Sequence, residues 1–93
     1  MKYEVRFTNQ FKKDFKLAKK QGKDTDKLLS VVEKLANGEE LEPKYRDHSL
    51  TGNYANYREC HVEPDWLLIY QKHEDMLILL LYRAGSHSEL FSK

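Results

Sequence analysis

The sequence predicts an α+β fold: one strand, a two-helix hairpin, a three-stranded antiparallel meander and a short C-terminal helical turn. Three observations predict it. Residues 3–7 alternate apolar and charged at period two, residues 9–36 carry apolar positions at helical spacing broken once by glycine, and residues 54–83 hold three apolar runs separated by short polar turns. A chain of 93 residues has room for a single domain, 1–93, because domains usually run to roughly 100–150 residues.

Tyr3, Val5 and Phe7 alternate with Lys2, Glu4 and Arg6, as in a half-buried strand. Thr8 or Asn9 can cap the first helix, since a short side-chain oxygen accepts from the free amides of the first turn. Phe11, Phe15 and Ala18 give that helix its apolar face, with Leu17 alongside, and Gly22 ends it. Asp24 caps a second helix, in which Leu28, Val31 or Val32, and Leu35 recur until Asn37-Gly38. Residues 39–53 have no sustained apolar period; such loops are often functional, and this one contains His48.

Strands are predicted at 54–62, 66–72 and 76–83, joined by short turns at 63–65 and 73–75. The second and third are nearly continuous apolar runs, as expected of central strands covered by helices. Ala84-Gly85 breaks the last strand, and residues 86–91 can form one helical turn.

With 40% hydrophobic and 33% charged residues, the composition is globular. No apolar run approaches the ~20 residues of a membrane span, and the first residues read as a strand in place of a leader peptide. Neither secretion nor a membrane partner is expected. The lone Cys60 forms no intramolecular disulfide and no thiolate zinc cluster, which suits the cytoplasm; it reads as a semi-buried strand residue ahead of a nucleophile. A net charge of +1 conceals +6 in residues 1–23 against −5 in residues 24–93. Lys12, Lys16, Lys19 and Lys23 recur at helical spacing, which predicts a polyanion-binding stripe.

Four histidines carry the candidate chemistry. His73 lies in a predicted turn and is assigned to solvent, whereas His48, His61 and His87 sit at element edges near Lys44 and Arg46, Arg58, and Arg83. His61 and Asp65 face each other across one tight turn; His48 and His87 are expected at the opposite strand ends, so chain order alone does not bring the three histidines together. Combined with a basic helix, they suit RNA cleavage without a metal: a base for the ribose 2′-hydroxyl, an acid for the leaving 5′-oxygen and cations at the phosphate. Imidazole serves either proton transfer near neutrality, and a carboxylate can orient it. Arg83 or Arg58 can clamp the phosphate, and Trp66 and Phe91 either stack on an unpaired base or pack in the core. Three histidines and an aspartate can also form a metal site, but no pair has helical ligand spacing and the surroundings are basic, so no metal or other cofactor is predicted.

Three segments carry a family resemblance: Tyr45-Arg46-Asp47-His48-Ser49-Leu50-Thr51-Gly52, similar to "(Y/F)xDHxLxG"; Tyr57-Arg58-Glu59-Cys60-His61-Val62-Glu63-Pro64-Asp65-Trp66, similar to "(Y/F)R(D/E)xHVEPDW"; and Gly85-Ser86-His87-Ser88-Glu89-Leu90-Phe91, similar to "G(S/T)HxxLF". In this order the chain resembles the RelE/ParE superfamily of bacterial type II toxins and, within it, the YafQ branch. The resemblance implies a microbial-RNase-like fold, cleavage of mRNA in the ribosomal A site, contacts with ribosomal RNA and neutralisation by a cognate antitoxin of the DinJ or RelB type. It implies His48, His61, Asp65 and His87 as the catalytic set, with His87 the proton donor and His48 the first choice of base, and places Trp66 and Phe91 near substrate. The rival expectation is a binding protein, like the gyrase-inhibiting members of the superfamily, that poisons its partner without cutting RNA.

Overall fold

A computed structural model describes residues 1–91 as eight regular elements: β1 (Glu4–Phe7), α1 (Asn9–Lys20), α2 (Thr25–Ala36), β2 (His48–Ser49), β3 (Arg58–Glu63), β4 (Trp66–His73), β5 (Ile78–Gly85) and α3 (His87–Phe91). Thr8 caps α1: its Oγ1 accepts from the Phe11 amide at 2.9 Å while its hydroxyl donates to the Tyr82 carbonyl at 2.7 Å. The cap therefore also ties α1 to β5. Asp24 caps α2 through the Lys27 amide. Both helices stop in the same way, with Gly22 and Gly38 left-handed at φ +77° and +82°. The next amides, of Lys23 and Glu39, reach back to the carbonyls of Ala18 and Lys34.

The sheet order is β1-β5-β4-β3-β2, with β1 parallel to β5 and every other pair antiparallel. One face is covered by α1 and α2: Phe11, Ala18, Leu28, Val31, Val32 and Leu35 pack with Cys60, Val62, Trp66, Leu68, Tyr70, Leu79 and Leu81. Leu67 and Ile69 point the other way, into a smaller cluster with Leu90 and the half-buried Leu50, Tyr57, Tyr82 and Phe91. Among the described residues, that second face is roofed by α3 and the 50–57 loop, which leave part of it open.

Asp14 is a buried carboxylate within α1. It accepts from Arg83 Nε at 3.1 Å, Arg83 Nη2 at 3.0 Å, the Ala84 amide at 3.0 Å and Gln10 Nε2 at 3.2 Å. Burial of its charge is offset by this full set of donors, which fastens α1 to the end of β5.

Two expected boundaries shift. Met76 and Leu77 belong to the β4–β5 turn, exposed and with Leu77 at φ +55°, so the apolar run is longer than the strand. Residues 54–57 do not extend β3; a 3-10 turn at Gly52–Tyr54 closes with the Ala55 amide on the Gly52 carbonyl, and the Tyr57 amide then bonds the Tyr54 carbonyl. The 39–53 loop is itself structured, by a 3-10 turn at Pro43–Tyr45 and by β2.

Candidate active site

The open face gathers all three candidate histidines. His61 stands on β3, where period-two alternation puts it on the same face as Glu59 and opposite Cys60 and Val62. β2 pairs with β3 in a register that sets His48 opposite Glu59. The result is a buried carboxylate with an imidazole on either side: Glu59 Oε1 lies 3.4 Å from His48 Nε2 and 3.9 Å from His61 Nε2.

Both rings are anchored from behind. His48 Nδ1 bonds the Arg46 carbonyl at 2.6 Å and His61 Nδ1 bonds the Pro64 carbonyl at 3.2 Å. A carbonyl only accepts, so Nδ1 carries the proton in each ring and Nε2 is the nitrogen left for chemistry. The residue before His48 completes its placement: Asp47 turns to the other face and accepts from Tyr70 Oη at 2.6 Å and Arg58 Nε at 3.3 Å. Burial and the adjacent Asp47 carboxylate raise the Tyr70 phenol.

His87 arrives from the far side of the sheet. β3 and β5 both run antiparallel to β4, so their C-terminal ends lie at the same end of the sheet, and the His61 and His87 rings are 5.9 Å apart between centroids. Ser86 and Glu89 form a capping box, with the Glu89 amide on Ser86 Oγ at 3.2 Å and the Ser86 amide on Glu89 Oε1 at 2.9 Å. This sets His87 in the first turn of α3. Gly85 permits the tight return, because a Cβ there would meet Glu89 Oε1 at 2.9 Å and Leu90 Cδ2 at 3.2 Å. Asp65 Oδ1 accepts from both the His87 amide, at 3.2 Å, and His87 Nδ1, at 3.1 Å. Those bonds, backbone first, hold the Asp65 carboxyl below the usual carboxylate range. His87 therefore presents Nε2 outward, its Nδ1 held by the Asp65 carboxylate.

Known proteins share this sequence pattern and this fold. The family model for the bacterial toxin of type II toxin-antitoxin systems, YafQ, matches residues 3–92. The chain belongs to the YafQ toxin family. It is 40% identical over 89 residues to the mRNA interferase toxin YafQ of Escherichia coli, an alignment covering 95% of each chain. Among solved structures, the E. coli DinJ-YafQ toxin-antitoxin complex matches at a TM-score of 0.88 and 39% identity, covering 98% of this chain and 99% of that one. A metal-bound toxin from Helicobacter pylori matches at 0.90 and 45%, covering 96% and 99%.

Within this YafQ-family fold several sequence expectations change. Trp66 is not a stacking surface for RNA: it is 1% exposed, on the helix-covered face opposite His61, with Lys23 Nζ 5.8 Å above its ring. Arg58 is no phosphate clamp for His61, since alternation puts it on the other face, bound to Asp47. Arg83 has its guanidinium fork closed on Asp14, which also raises its already high pKa, so it is a strut between α1 and β5. Phe91 remains beside the site, its ring 6.4 Å from that of His87 and 5.6 Å from that of Tyr54. Lys12, Lys16 and Lys19 are exposed along α1, whereas Lys23 lies beyond the Gly22 turn and is half-buried near Asp65. His73 is exposed, as expected.

Glu59 is the residue that sequence reading missed. Its signal was present, because a carboxylate two residues before a strand histidine shares its face. Tyr54 and Tyr57, which continue the aromatic row from Phe91 at centroid spacings of 5.6 and 6.0 Å, were likewise unmarked. Among the described residues no group of three or more His, Cys, Asp or Glu side chains is arranged to hold a metal ion, and no helix is long and apolar enough to cross a membrane.

Proposed function

We propose that this protein is the toxin of a type II toxin–antitoxin pair, acting in the cytoplasm as an endoribonuclease that cuts mRNA in the A site of the ribosome and is silenced by a DinJ-like antitoxin. The observation that carries the reading is the convergence of His48, His61 and His87, with Glu59 and Asp65 behind them, on the open sheet face. A toxin that only binds its target has no need of three imidazoles each fixed by a bond to Nδ1. The E. coli relative is named an mRNA interferase and is found in complex with DinJ, which supports the same reading.

In this scheme His48 Nε2, on a half-exposed ring, takes the 2′-hydroxyl proton, and Glu59 stabilises the imidazolium so formed. The 2′-oxygen attacks the phosphorus, the bond to the 5′-oxygen breaks, and His87 donates its Nε2 proton to that leaving oxygen. His61, between them, faces the phosphate as charge redistributes. The products are a 2′,3′-cyclic phosphate and a 5′-hydroxyl. Phe91 offers the base a ring beside His87, and the α1 lysines grip ribosomal RNA through its phosphates.

The test is cleavage of mRNA on programmed ribosomes with end analysis of the products. Cuts that end in a cyclic phosphate and vanish when the nucleotide 5′ of the cut is 2′-deoxy support the scheme. Cuts that persist at the deoxy position overturn it, and equal cutting of free mRNA overturns ribosome dependence.

A further inference from the structure

A cleft of about 530 Å³ opens on the outer side of His61, between the Pro43–Tyr45 turn, the start of α2 and the end of β3. Its walls include Lys27, Lys44, Arg46 and His61, with Glu63 the one carboxylate. Lys27 answers Glu63 at 3.6 Å, and Lys44 meets only the exposed Glu42, at 3.8 Å across water-accessible side chains. Arg46 has no carboxylate within ion-pair distance among the described residues. The cleft thus keeps a surplus of positive charge against a histidine of the reaction centre.

Arg46 is also held in an unfavourable backbone state. It closes the Pro43–Tyr45 turn at φ 49°, ψ 44°, the left-handed region that glycine adopts freely and arginine does not. In that pose its carbonyl anchors His48 Nδ1, and the residue stands in the wall between the His61 cleft and a neighbouring cleft lined by Glu39, Glu40 and Glu42. A glycine would relax the backbone and keep the carbonyl but lose the guanidinium, so the strain goes with the side chain.

We propose that this cleft is a subsite for an RNA backbone phosphate flanking the one that is cut, held by Arg46 and Lys44 with Lys27 at its rim. The inference rests on the nuclease reading above and extends it, placing the strand's path past His61 and away from Phe91. An RNA occupant is favoured over an acidic peptide because the cleft borders His61, a residue of the proposed reaction centre. A chain whose scissile phosphate sits at His61 brings its neighbouring phosphate within reach of the cleft, since adjacent phosphates are covalently tied. Guanidinium pairs with phosphate in two-pronged geometry, and lysine acts beside it as a point charge.

The experiment measures binding of the full chain to a short single-stranded RNA made uncleavable by one 2′-deoxy nucleotide at the cut position. Matched RNAs carry a single neutral methylphosphonate at each flanking linkage. Arg46→Gly and Lys44→Gln are the variants; Arg46→Gly keeps the His48 anchor, and Lys44→Gln leaves that turn untouched. Each variant is expected to weaken binding about tenfold or more, the scale of one charge-assisted contact. One neutral linkage should cost the wild type a similar factor and cost Arg46→Gly distinctly less, because only the lysines then remain to lose it. Equal sensitivity of wild type and both variants to every neutral linkage overturns the proposal. So does unchanged RNA binding by variants that lose affinity for a glutamate-rich peptide, an outcome that assigns the cleft to a protein. Because the RNA is uncleavable, coupling is read whether or not the wild type cuts mRNA. Cutting without coupling removes this subsite alone; coupling without cutting removes the nuclease reading and leaves the subsite.

Discussion

Asp65 and His87 are joined twice through a single oxygen, Oδ1, which accepts from both the backbone amide and Nδ1 of His87. Both side chains are more than half exposed, so the pair contributes orientation and charge, not packing. His87→Ala is expected to lower cleavage by about 10²–10⁴-fold, the usual range for one proton-transfer group, without altering the circular dichroism or melting temperature. Undiminished cleavage by His87→Ala removes it as the acid.

The same pair makes a pH prediction. Asp65 has a carboxyl pKa depressed below its ordinary value of about 3.9, so its bonds to His87 are fully present above that value. They are lost only as pH falls through the lower, folded-state pKa. Carbon NMR of the Asp65 carboxyl should show a midpoint below the ordinary range, moving up toward it in His87→Ala. An unmoved midpoint contradicts the coupling.

Glu59 is predicted to act through the imidazoles beside it. Glu59→Gln keeps shape but removes charge, and cleavage should fall about 10–150-fold, the equivalent of losing a charge-assisted contact of 1.5–3 kcal/mol. The deficit should appear in kcat with KM little changed, because the charge is needed when His48 becomes protonated. A pure KM effect would point to substrate binding.

Asp14→Ala leaves Arg83 and the Ala84 amide without their acceptor. Because Arg83 keeps some access to water, the loss should sit at the low end for a broken buried pair, about 3 kcal/mol. In a domain of this size that lowers the melting temperature by roughly 12–24 °C. A shift of a degree or two means that the pair is dispensable.

Trp66 is the only tryptophan, so fluorescence reports on it directly. Its emission should be blue-shifted, weakly quenched by iodide and unmoved by RNA; a strong RNA-dependent quench would place it at the substrate after all. Trp66→Ala should cost about 3–5 kcal/mol of stability. Cys60, fully buried, with burial raising its thiol pKa, should resist alkylation until the chain unfolds.

Much of the fold was legible because its determinants are local. The Thr8 and Asp24 caps, the Gly22 and Gly38 stops, the helical faces and the Ser86-x-x-Glu89 turn each depend on residues within one helical turn. The three sequence segments that resemble the toxin family likewise marked His48, His61, Asp65 and His87. Alternation on β3 could also have marked Glu59 and excluded Arg58 from the His61 face. β4 and β5 withheld that information, since they are apolar on both sides and period two then has no contrast to read.

The sequence by itself therefore determined the element order apart from β2, the helix ends, and the lysines exposed along α1, and it marked the catalytic candidates. Only the tertiary structure decided that Trp66 is core, that Arg83 serves Asp14, and that His48, on a two-residue edge strand, meets His61 across Glu59. The physical reason is range. Caps and periodicities are set by neighbours along the chain, whereas strand partners and ion pairs join residues as far apart as Asp14 and Arg83, and are settled by which faces the whole chain can bury at once.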